Sequence, residues 1–226
     1  MKTKIILPAF ALLLAVGRTS AFPPVPHAMT YHEIDRGVEK TARFTIVRDR
    51  AGFHVFIVTT TGKAQIREEL LCDSAWRTSW WRFQGSDSTT ITSQRSGNVI
   101  SLEGVLHGRP VSRKLSIDAH PWYQLVTMGM EIIAADSAAN AEYWAVSIEG
   151  IAELKAAPFR VAGIADTSLP GHPEIHCRRV RVRLAGLFGR FWEGSYFVRL
   201  DNGRFIHFEG VRFGSKNPAG TIDVVQ

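Results

Sequence analysis

The chain has 226 residues, a formal net charge of +6 and a pI of about 9.6. This length suits a single domain with a sizeable core. Three of the positive charges, on Lys2, Lys4 and Arg18, lie near the amino terminus, and without them the net charge falls to +3. The composition therefore gives little support to nucleic-acid binding, and we expect no nucleic-acid partner.

Residues 1–21 have the pattern of a secretory signal peptide. An apolar run from Ile5 to Val16 follows the basic start, and the small residues Thr19-Ser20-Ala21 predict cleavage before Phe22. An uncleaved anchor is the alternative interpretation. Because no later stretch reaches about 18 apolar residues, we expect no integral membrane span in residues 22–226. We predict an exported, periplasmic protein whose residues 22–226 form one domain.

Most of residues 22–226 consist of short β-type segments separated by turn residues. Within Val38–Arg48, for example, Ala42, Phe44 and Ile46 alternate with polar positions, which is typical of a strand with one buried face. Such segments recur about every ten residues and predict a mostly β, antiparallel meander that curls into a sandwich or barrel. The predicted strands are Tyr31–Asp35, Val38–Arg48, Phe53–Thr61, Gln65–Leu71, Thr78–Gly85, Thr89–Gln94, Val99–Val105, Val111–Ile117, Glu142–Ile148, Ala152–Lys155, Phe159–Ala162, Ile175–Leu184, Tyr196–Leu200, Phe205–Phe213 and Thr221–Val225.

One segment departs from the strand pattern. From Pro121 to Ala135, apolar residues recur at spacings of three and four, which predicts a single helix with an apolar stripe packed against a sheet. Pro121 suits the first turn of such a helix. A later segment, Asp166–Pro173, contains two prolines and a glycine and is predicted to be a loop.

No motif in the chain supports catalysis or cofactor binding. Gly194-Ser195 lacks the glycine that completes a nucleophile elbow, and no phosphate-binding or dinucleotide-binding glycine loop is present. His172 and His176 are four residues apart, but Pro173 disfavours the helix that would bring them to one metal ion. We therefore predict a non-enzymatic protein with no cofactor and no metal site.

A basic face is predicted on the strand Ile175–Leu184. Arg179, Arg181 and Arg183 alternate with valine and leucine, so three guanidinium groups share one face. Such a face could bind anionic groups such as phosphates or lipid headgroups. A solvated outer face is the alternative, because any half-buried strand alternates in this way.

Aromatic residues are concentrated in two segments, one near Trp80 and one near Trp192. Large aromatic side chains on both faces of a strand must be covered, either by the predicted helix alone or partly by a bound apolar molecule. We identify the following candidate ligand contacts: Trp80, Trp81, Arg82 and Phe83 on the aromatic strand, Trp122, Met128 and Met130 on the helix, and Phe191 and Trp192 in a late loop.

Cys72 and Cys177 are the two cysteines of the chain. In an oxidising compartment an even number of cysteines is consistent with a disulfide, and we predict that these two pair. Two buried free thiols are the alternative.

The layout of these segments resembles a known group of proteins. The residues that carry the resemblance are Tyr31–Glu39, the Phe44–Thr61 hairpin with Thr59-Thr60-Thr61-Gly62, Trp80–Gly85 followed by Ser86-Asp87, Pro121–Ala135, and Phe197-x-x-x-Asp201-Asn202-Gly203-Arg204-x-Ile206. Over most of residues 28–213 the chain is similar to uncharacterised bacterial periplasmic half-barrel proteins, whose shape is similar to that of outer-membrane lipoprotein carriers and lipocalin-like barrels. The resemblance implies a strongly curved antiparallel sheet wrapped around one central helix, with a concave apolar surface.

Two functions are consistent with these features of the sequence. The first is a carrier in the cell envelope that shelters an apolar or amphipathic, lipid-like ligand between sheet and helix. The alternative is an envelope structural or assembly protein that binds another protein through a sheet edge or through the arginine-rich face.

Overall fold

In a computed structural model, the described part of the chain comprises residues 28–35, 37–136, 140–149, 153–186, 192–210 and 220–225. The predicted signal peptide lies outside these residues. The secondary-structure elements are β1 Ala28–Asp35, β2 Val38–Arg48, β3 Gly52–Thr61, β4 Ala64–Asp73, β5 Thr78–Gln84, β6 Thr90–Ser96, β7 Val99–Leu106, β8 Arg109–Ser116, α1 Val126–Asp136, β9 Glu142–Glu149, β10 Glu153–Leu169, β11 His172–Leu184, β12 Glu193–Arg199, β13 Phe205–Gly210 and β14 Gly220–Val225.

All described strands belong to one antiparallel sheet. Its 14 strands follow the order β8-β7-β6-β5-β4-β3-β2-β1-β14-β13-β12-β11-β10-β9, so the sheet does not close on itself and β8 and β9 are its edges. Every pair of neighbouring strands is consecutive in the sequence except the central pair, β1 and β14, and the consecutive strands β8 and β9 lie at opposite edges. The prediction of a mostly β, antiparallel fold with one helix is confirmed for the described residues.

Alternation along β2 shows why the strand segments were predictable. Ala42, Phe44 and Ile46 are buried, whereas the intervening Arg43 and Thr45 are exposed. Since side chains alternate between the faces of a strand, this pattern places one face of β2 in the main hydrophobic core. The opposite face contacts solvent.

The helix is shorter than predicted. It begins at Val126 instead of Pro121, and before it Trp122 forms a parallel bridge to Trp144 of β9 while residues 124 and 125 bend into the helix. The carbonyl of Pro121 accepts a hydrogen bond from the Trp144 amide, and Tyr123 donates to the Trp144 carbonyl. These bonds to a sheet edge favour the extended form, although the apolar spacing alone suggested another helical turn.

Two further boundaries differ from the prediction. The two predicted strands Ala152–Lys155 and Phe159–Ala162 are joined in a single long strand, β10, that covers residues 153–169. Pro158 is tolerated inside β10 because it lies beyond the end of β11, where its missing N–H removes no hydrogen bond between the strands. Its carbonyl still accepts a hydrogen bond from Ala185. The predicted Asp166–Pro173 loop is reduced to a turn at Pro170 and Gly171, since the positive φ of Gly171 (77°) allows a tight reversal.

The predicted disulfide is absent. Cys72 on β4 and Cys177 on β11 are free, buried thiols, and six strands separate β4 from β11 in the sheet. They also belong to different hydrophobic clusters. Burial raises the pKa of the Cys72 thiol to about 12, so this thiol is neutral at physiological pH.

Gly129 on α1 is in tight contact with a buried ring. A Cβ at this position would lie 2.7 Å from Cγ of Tyr123, a residue that is 5% exposed. Alanine is favoured over glycine in a helix by about 1 kcal/mol, but overpacking a core costs about 1–3 kcal/mol. We therefore expect Gly129→Ala to destabilise the protein by about 1–2 kcal/mol in urea unfolding.

The matched control for this prediction is a Tyr123→Leu background. Without the aromatic ring, helix propensity dominates, and Gly129→Ala is expected to stabilise the protein by about 0.5–1 kcal/mol. Destabilisation of similar size in both backgrounds would contradict the assigned clash with Tyr123.

Candidate functional site

The inward-facing aromatic residues of β5 form one wall of the candidate site. Trp81 is 2% exposed, and its Nε1 donates a 2.9 Å hydrogen bond to Oε2 of Glu68 on β4. The ring of Phe83 lies 5.9 Å from that of Trp81 in an edge-on arrangement. Because side chains alternate along a strand, Trp80 and Arg82 lie on the opposite face of the sheet.

These aromatics line a cavity of about 610 Å³. The cavity is lined by strands that are remote from one another in the sheet order and by the chain around the start of α1. On one side lie Trp81 and Phe83, and on the other lie Val146 of β9, Tyr196 of β12, Phe208 of β13 and Ile222 of β14.

A second space of about 300 Å³ adjoins the first. The two share lining residues, among them Ile66, Glu68, Phe83, Gln124, Thr127 and Ile222. We call the combined space the inner cavity. Its second part reaches Tyr31 and Glu33 on β1, so the inner cavity extends toward the middle of the sheet.

Gln124 connects the edge strand β9 to the rest of the site. Its side-chain amide donates to the carbonyl of Val146 (3.0 Å) and accepts from the Val146 amide (3.2 Å) and from Nε1 of Trp122 (3.0 Å). The backbone amide of Gln124 donates to Oγ1 of Thr78 at the start of β5. Gln124 thus bonds to β9 through its side chain and to β5 through its backbone amide, and it joins the two strands beside the inner cavity.

One end of the inner cavity is polar. Nδ1 of His107 contacts the carboxylate of Asp87, and the His107 amide donates to Oγ1 of Thr89. Burial opposes ionisation of Asp87, but hydrogen bonding with Thr89 and the nearby His107 outweigh it and lower the pKa of this carboxyl. His107 and Ser88 have positive φ values (49° and 62°), which are uncommon for residues other than glycine. A cavity with mixed aromatic, aliphatic and polar walls therefore carries a structured polar rim at Asp87 and His107.

Two of the predicted ligand contacts, Trp81 and Phe83, line the inner cavity. Trp80 and Arg82 lie on the outer face, where Trp80 borders a separate groove with His54 and Leu71. This separation follows from strand alternation.

The other predicted contacts serve different roles. Trp122, Met128 and Met130 are 0% exposed and belong to the main hydrophobic core. Trp192 is 8% exposed and packs edge-on against Phe159 at 5.1 Å. For these four residues the prediction of ligand contact is replaced by a packing role, and Phe191 lies outside the described residues.

The arginine face of β11 is present but largely paired. Val180 and Val182 are buried, whereas the arginines point outward. Arg181 and Arg183 both contact Glu193 of β12, at 3.7 and 2.6 Å. This pairing neutralises part of the positive charge that anion binding would use, and it favours a solvated outer face.

Several lining residues were not identified from the sequence. Gln124 and Thr127 fell within the segment assigned to the helix stripe, and Glu68 had no distinguishing motif. Asp87 and His107 are 20 positions apart in two separate turns, and only the fold brings them together. Within the described ranges, no three His, Cys, Asp or Glu side chains form a group able to hold a metal ion. The same ranges contain no helix with the length and hydrophobicity needed to cross a membrane.

Comparison with known proteins supports the fold. No family model matches the chain, and no curated protein matches it. Among solved structures, it is similar to the crystal structure of a beta-barrel-like protein of a domain of unknown function, DUF1849, from Brucella abortus. The two share 7% sequence identity with a TM-score of 0.54, over 91% of this chain and 98% of that one. The likeness supports a barrel-like fold and concerns the fold alone.

Proposed function

We propose that this chain is an exported, non-enzymatic binding protein that holds an apolar or amphipathic, lipid-like molecule in the inner cavity. The observation that carries the proposal is the cavity of about 610 Å³ with an aromatic wall on β5 and a polar rim at Asp87 and His107. Typical small-molecule sites have volumes of about 300–1,000 Å³ and combine apolar walls with a few placed polar groups.

The chemistry of the walls favours an amphipathic ligand. Phe83, Val146, Phe208 and Ile222 offer apolar surface to an acyl chain or a similar group. The polar rim, with its ionised carboxylate at Asp87, offers hydrogen-bonding groups to a head group at the other end. A ligand with one apolar and one polar part satisfies both regions.

The proposal includes a curved sheet that wraps around α1. Its support is that β4 and β5 share the inner cavity with β9, β12, β13 and β14, although these strands are remote in the sheet order. A flat sheet would keep such strands tens of ångströms apart, since neighbouring strands are spaced by about 4.8 Å. Contacts of α1 with β11, β12 and β13 give the helix a place against the same sheet.

Export to the periplasm is part of the proposal. It is supported by the basic start, apolar run and small residues of positions 1–21. The sequence resemblance to proteins shaped like outer-membrane lipoprotein carriers suggests the ligand class by analogy of fold.

Filling the inner cavity tests this proposal. Ser147 lines the cavity, and its buried Oγ has no hydrogen-bond partner among the described residues, so replacing it sacrifices no described bond. We expect the wild-type protein to bind the apolar dye N-phenyl-1-naphthylamine at micromolar concentration and to release it to lipids. Ser147→Phe should weaken dye binding roughly tenfold, because the added ring occupies the cavity.

Ser147→Ala is the matched control, because it removes the same hydroxyl without filling space. Its affinity for the dye should equal that of the wild type within about twofold, and circular dichroism should show that both variants are folded. Absence of dye and lipid binding by the wild type, or equal binding by Ser147→Phe, would refute a ligand in the inner cavity.

A further inference from the structure

The outer face of β2 to β5 carries an unusual arrangement of exposed side chains. The strand register aligns Val47, His54, Leu71 and Trp80 in one row across these four strands. The adjacent row contains Phe56, Glu69 and Arg82. Because β strands are spaced by about 4.8 Å and alternate residues by about 6.8 Å, residues in adjacent rows lie within contact range of one another.

Apolar side chains are concentrated in these two rows. Val47 is 50% exposed, and Phe56 and Leu71 are each 39% exposed. Trp80, beside Leu71, is partly exposed, and the ring of His54 lies 4.3 Å from that of Phe56. We call Val47, Phe56, Leu71 and Trp80 the outer patch. Clustered exposed apolar groups of this kind mark interaction surfaces, whereas isolated ones do not.

Arginines border the outer patch. Arg82 lies in the Phe56 row, and Arg43 and Arg67 occupy the next row, on either side of Val58. None of the three forms an ion pair with a carboxylate in the described part of the chain. Glu69, the single acidic residue in these rows of β2 to β5, is bound by Nε2 of His54 at 2.7 Å. The patch therefore combines exposed apolar side chains with three neighbouring arginines that form no ion pair in the described part of the chain.

We propose that the outer patch docks the protein onto the surface of an anionic lipid bilayer. Tryptophan, phenylalanine and aliphatic side chains enter the interfacial region of a bilayer, while arginines contact anionic headgroups around them. A bilayer presents negative charge continuously, so it matches arginines spread over β2, β4 and β5 that form no ion pair among the described residues.

Docking through this face leaves the inner cavity accessible. Trp80 and Trp81 are adjacent on β5 and point to opposite faces, so a bilayer at Trp80 does not cover the cavity lined by Trp81. Membrane docking thus adds to the proposed ligand binding, and each can fail without the other.

Vesicle co-sedimentation of the chain lacking residues 1–21 tests the proposal. We expect binding to vesicles of phosphatidylglycerol and phosphatidylethanolamine to exceed binding to pure phosphatidylcholine roughly tenfold, and to weaken as salt is raised. Arg43→Gln and Arg82→Gln should each weaken binding about fivefold. The Phe56→Ser/Leu71→Ser double variant should weaken it about tenfold, because less apolar surface is buried.

Leu200→Ser is the matched control for Leu71→Ser, because Leu200 is 44% exposed but follows β12, outside the outer patch. It should bind vesicles as the wild type does, and all variants should retain dye binding in the inner cavity. Equal binding of both lipid compositions, or unchanged binding by the double variant, would overturn the proposal. If the patch variants instead lose a protein partner or self-association while the wild type ignores vesicles, the patch is a protein interface and bilayer docking is wrong.

Discussion

Replacement of Arg204 by methionine is expected to lower the free energy of unfolding by about 3–5 kcal/mol, because it leaves a buried carboxylate without its counter-charge. Glu131 on α1 is 7% exposed, and its Oε2 accepts a 3.0 Å hydrogen bond from Nη1 of Arg204. Its Oε1 accepts from the backbone amide of Phe205 at 3.0 Å. These contacts hold the helix against the start of β13. Urea unfolding at neutral pH measures the free energy that is lost when they are removed.

The pH dependence of this effect has a defined sign. Burial raises the pKa of Glu131, although the Phe205 amide and Arg204 oppose the rise. A carboxyl whose pKa is raised on folding contributes stability below its unfolded pKa of about 4.3, and this contribution is lost as pH rises through the folded pKa. Without Arg204 the folded pKa rises further. Arg204→Met should therefore be most unstable near neutral pH and should recover part of the loss at about pH 5.

The double variant Glu131→Gln/Arg204→Met is the control for charge. It removes both ions, so it should be more stable than Arg204→Met alone at neutral pH and should show little of the added pH dependence. If the deficit of Arg204→Met were the same at acidic and neutral pH, loss of packing, and not an unpaired carboxylate, would explain it.

Gln124→Ala is expected to destabilise the protein by about 3 kcal/mol and to open the junction between β9 and β5. The substitution leaves the amide and carbonyl of Val146 and Nε1 of Trp122 without their partner. Each buried polar group left unpaired costs about 1–3 kcal/mol, reduced where water enters from the inner cavity. Urea unfolding measures the total, and hydrogen exchange at the Val146 amide should become faster.

Gln124→Glu separates shape from hydrogen bonding. The carboxylate still accepts from Val146 and Trp122, but it places a second acceptor against the Val146 carbonyl. We expect it to be destabilised at neutral pH and to improve as the pH falls toward about 4.3, where a protonated carboxyl donates again. Unchanged stability in both Gln124 variants would show that the amide does not hold the β9 edge.

The strands were predictable because each has a clear local signal. In β2, burial of Ala42, Phe44 and Ile46 requires an alternation that is visible in the sequence. The same reasoning failed at Trp122, which is buried for a different reason. Its neighbours Pro121 and Tyr123 hydrogen-bond to Trp144 of β9, a strand that comes well after them in the sequence, and no local pattern reports such a partner.

Trp80 and Arg82 were named as ligand contacts together with Trp81 and Phe83, although the two pairs lie on opposite faces of β5. Sequence alternation separates Trp80 from Trp81 but does not say which of them points inward. The choice is made by Glu68, which accepts a hydrogen bond from Trp81, and by strands from the other end of the chain. The polar rim could not be predicted from the sequence either, because Asp87 and His107 are brought together by strand pairing and belong to no motif.

The pairing of β1 with β14 has a consequence for how the chain acquires its structure. Tyr31 lies opposite Val224, so the first and last described strands are neighbours in the middle of the sheet. Strands β1 to β8 can form as successive hairpins, and so can β9 to β14. The two halves can pair into one sheet only after β14 has been synthesised. Joining them requires closure of nearly the whole chain into a loop, a slow step in protein folding. A polypeptide that emerges amino terminus first would therefore remain incompletely folded throughout its synthesis, a state that the proposed export of the chain would require.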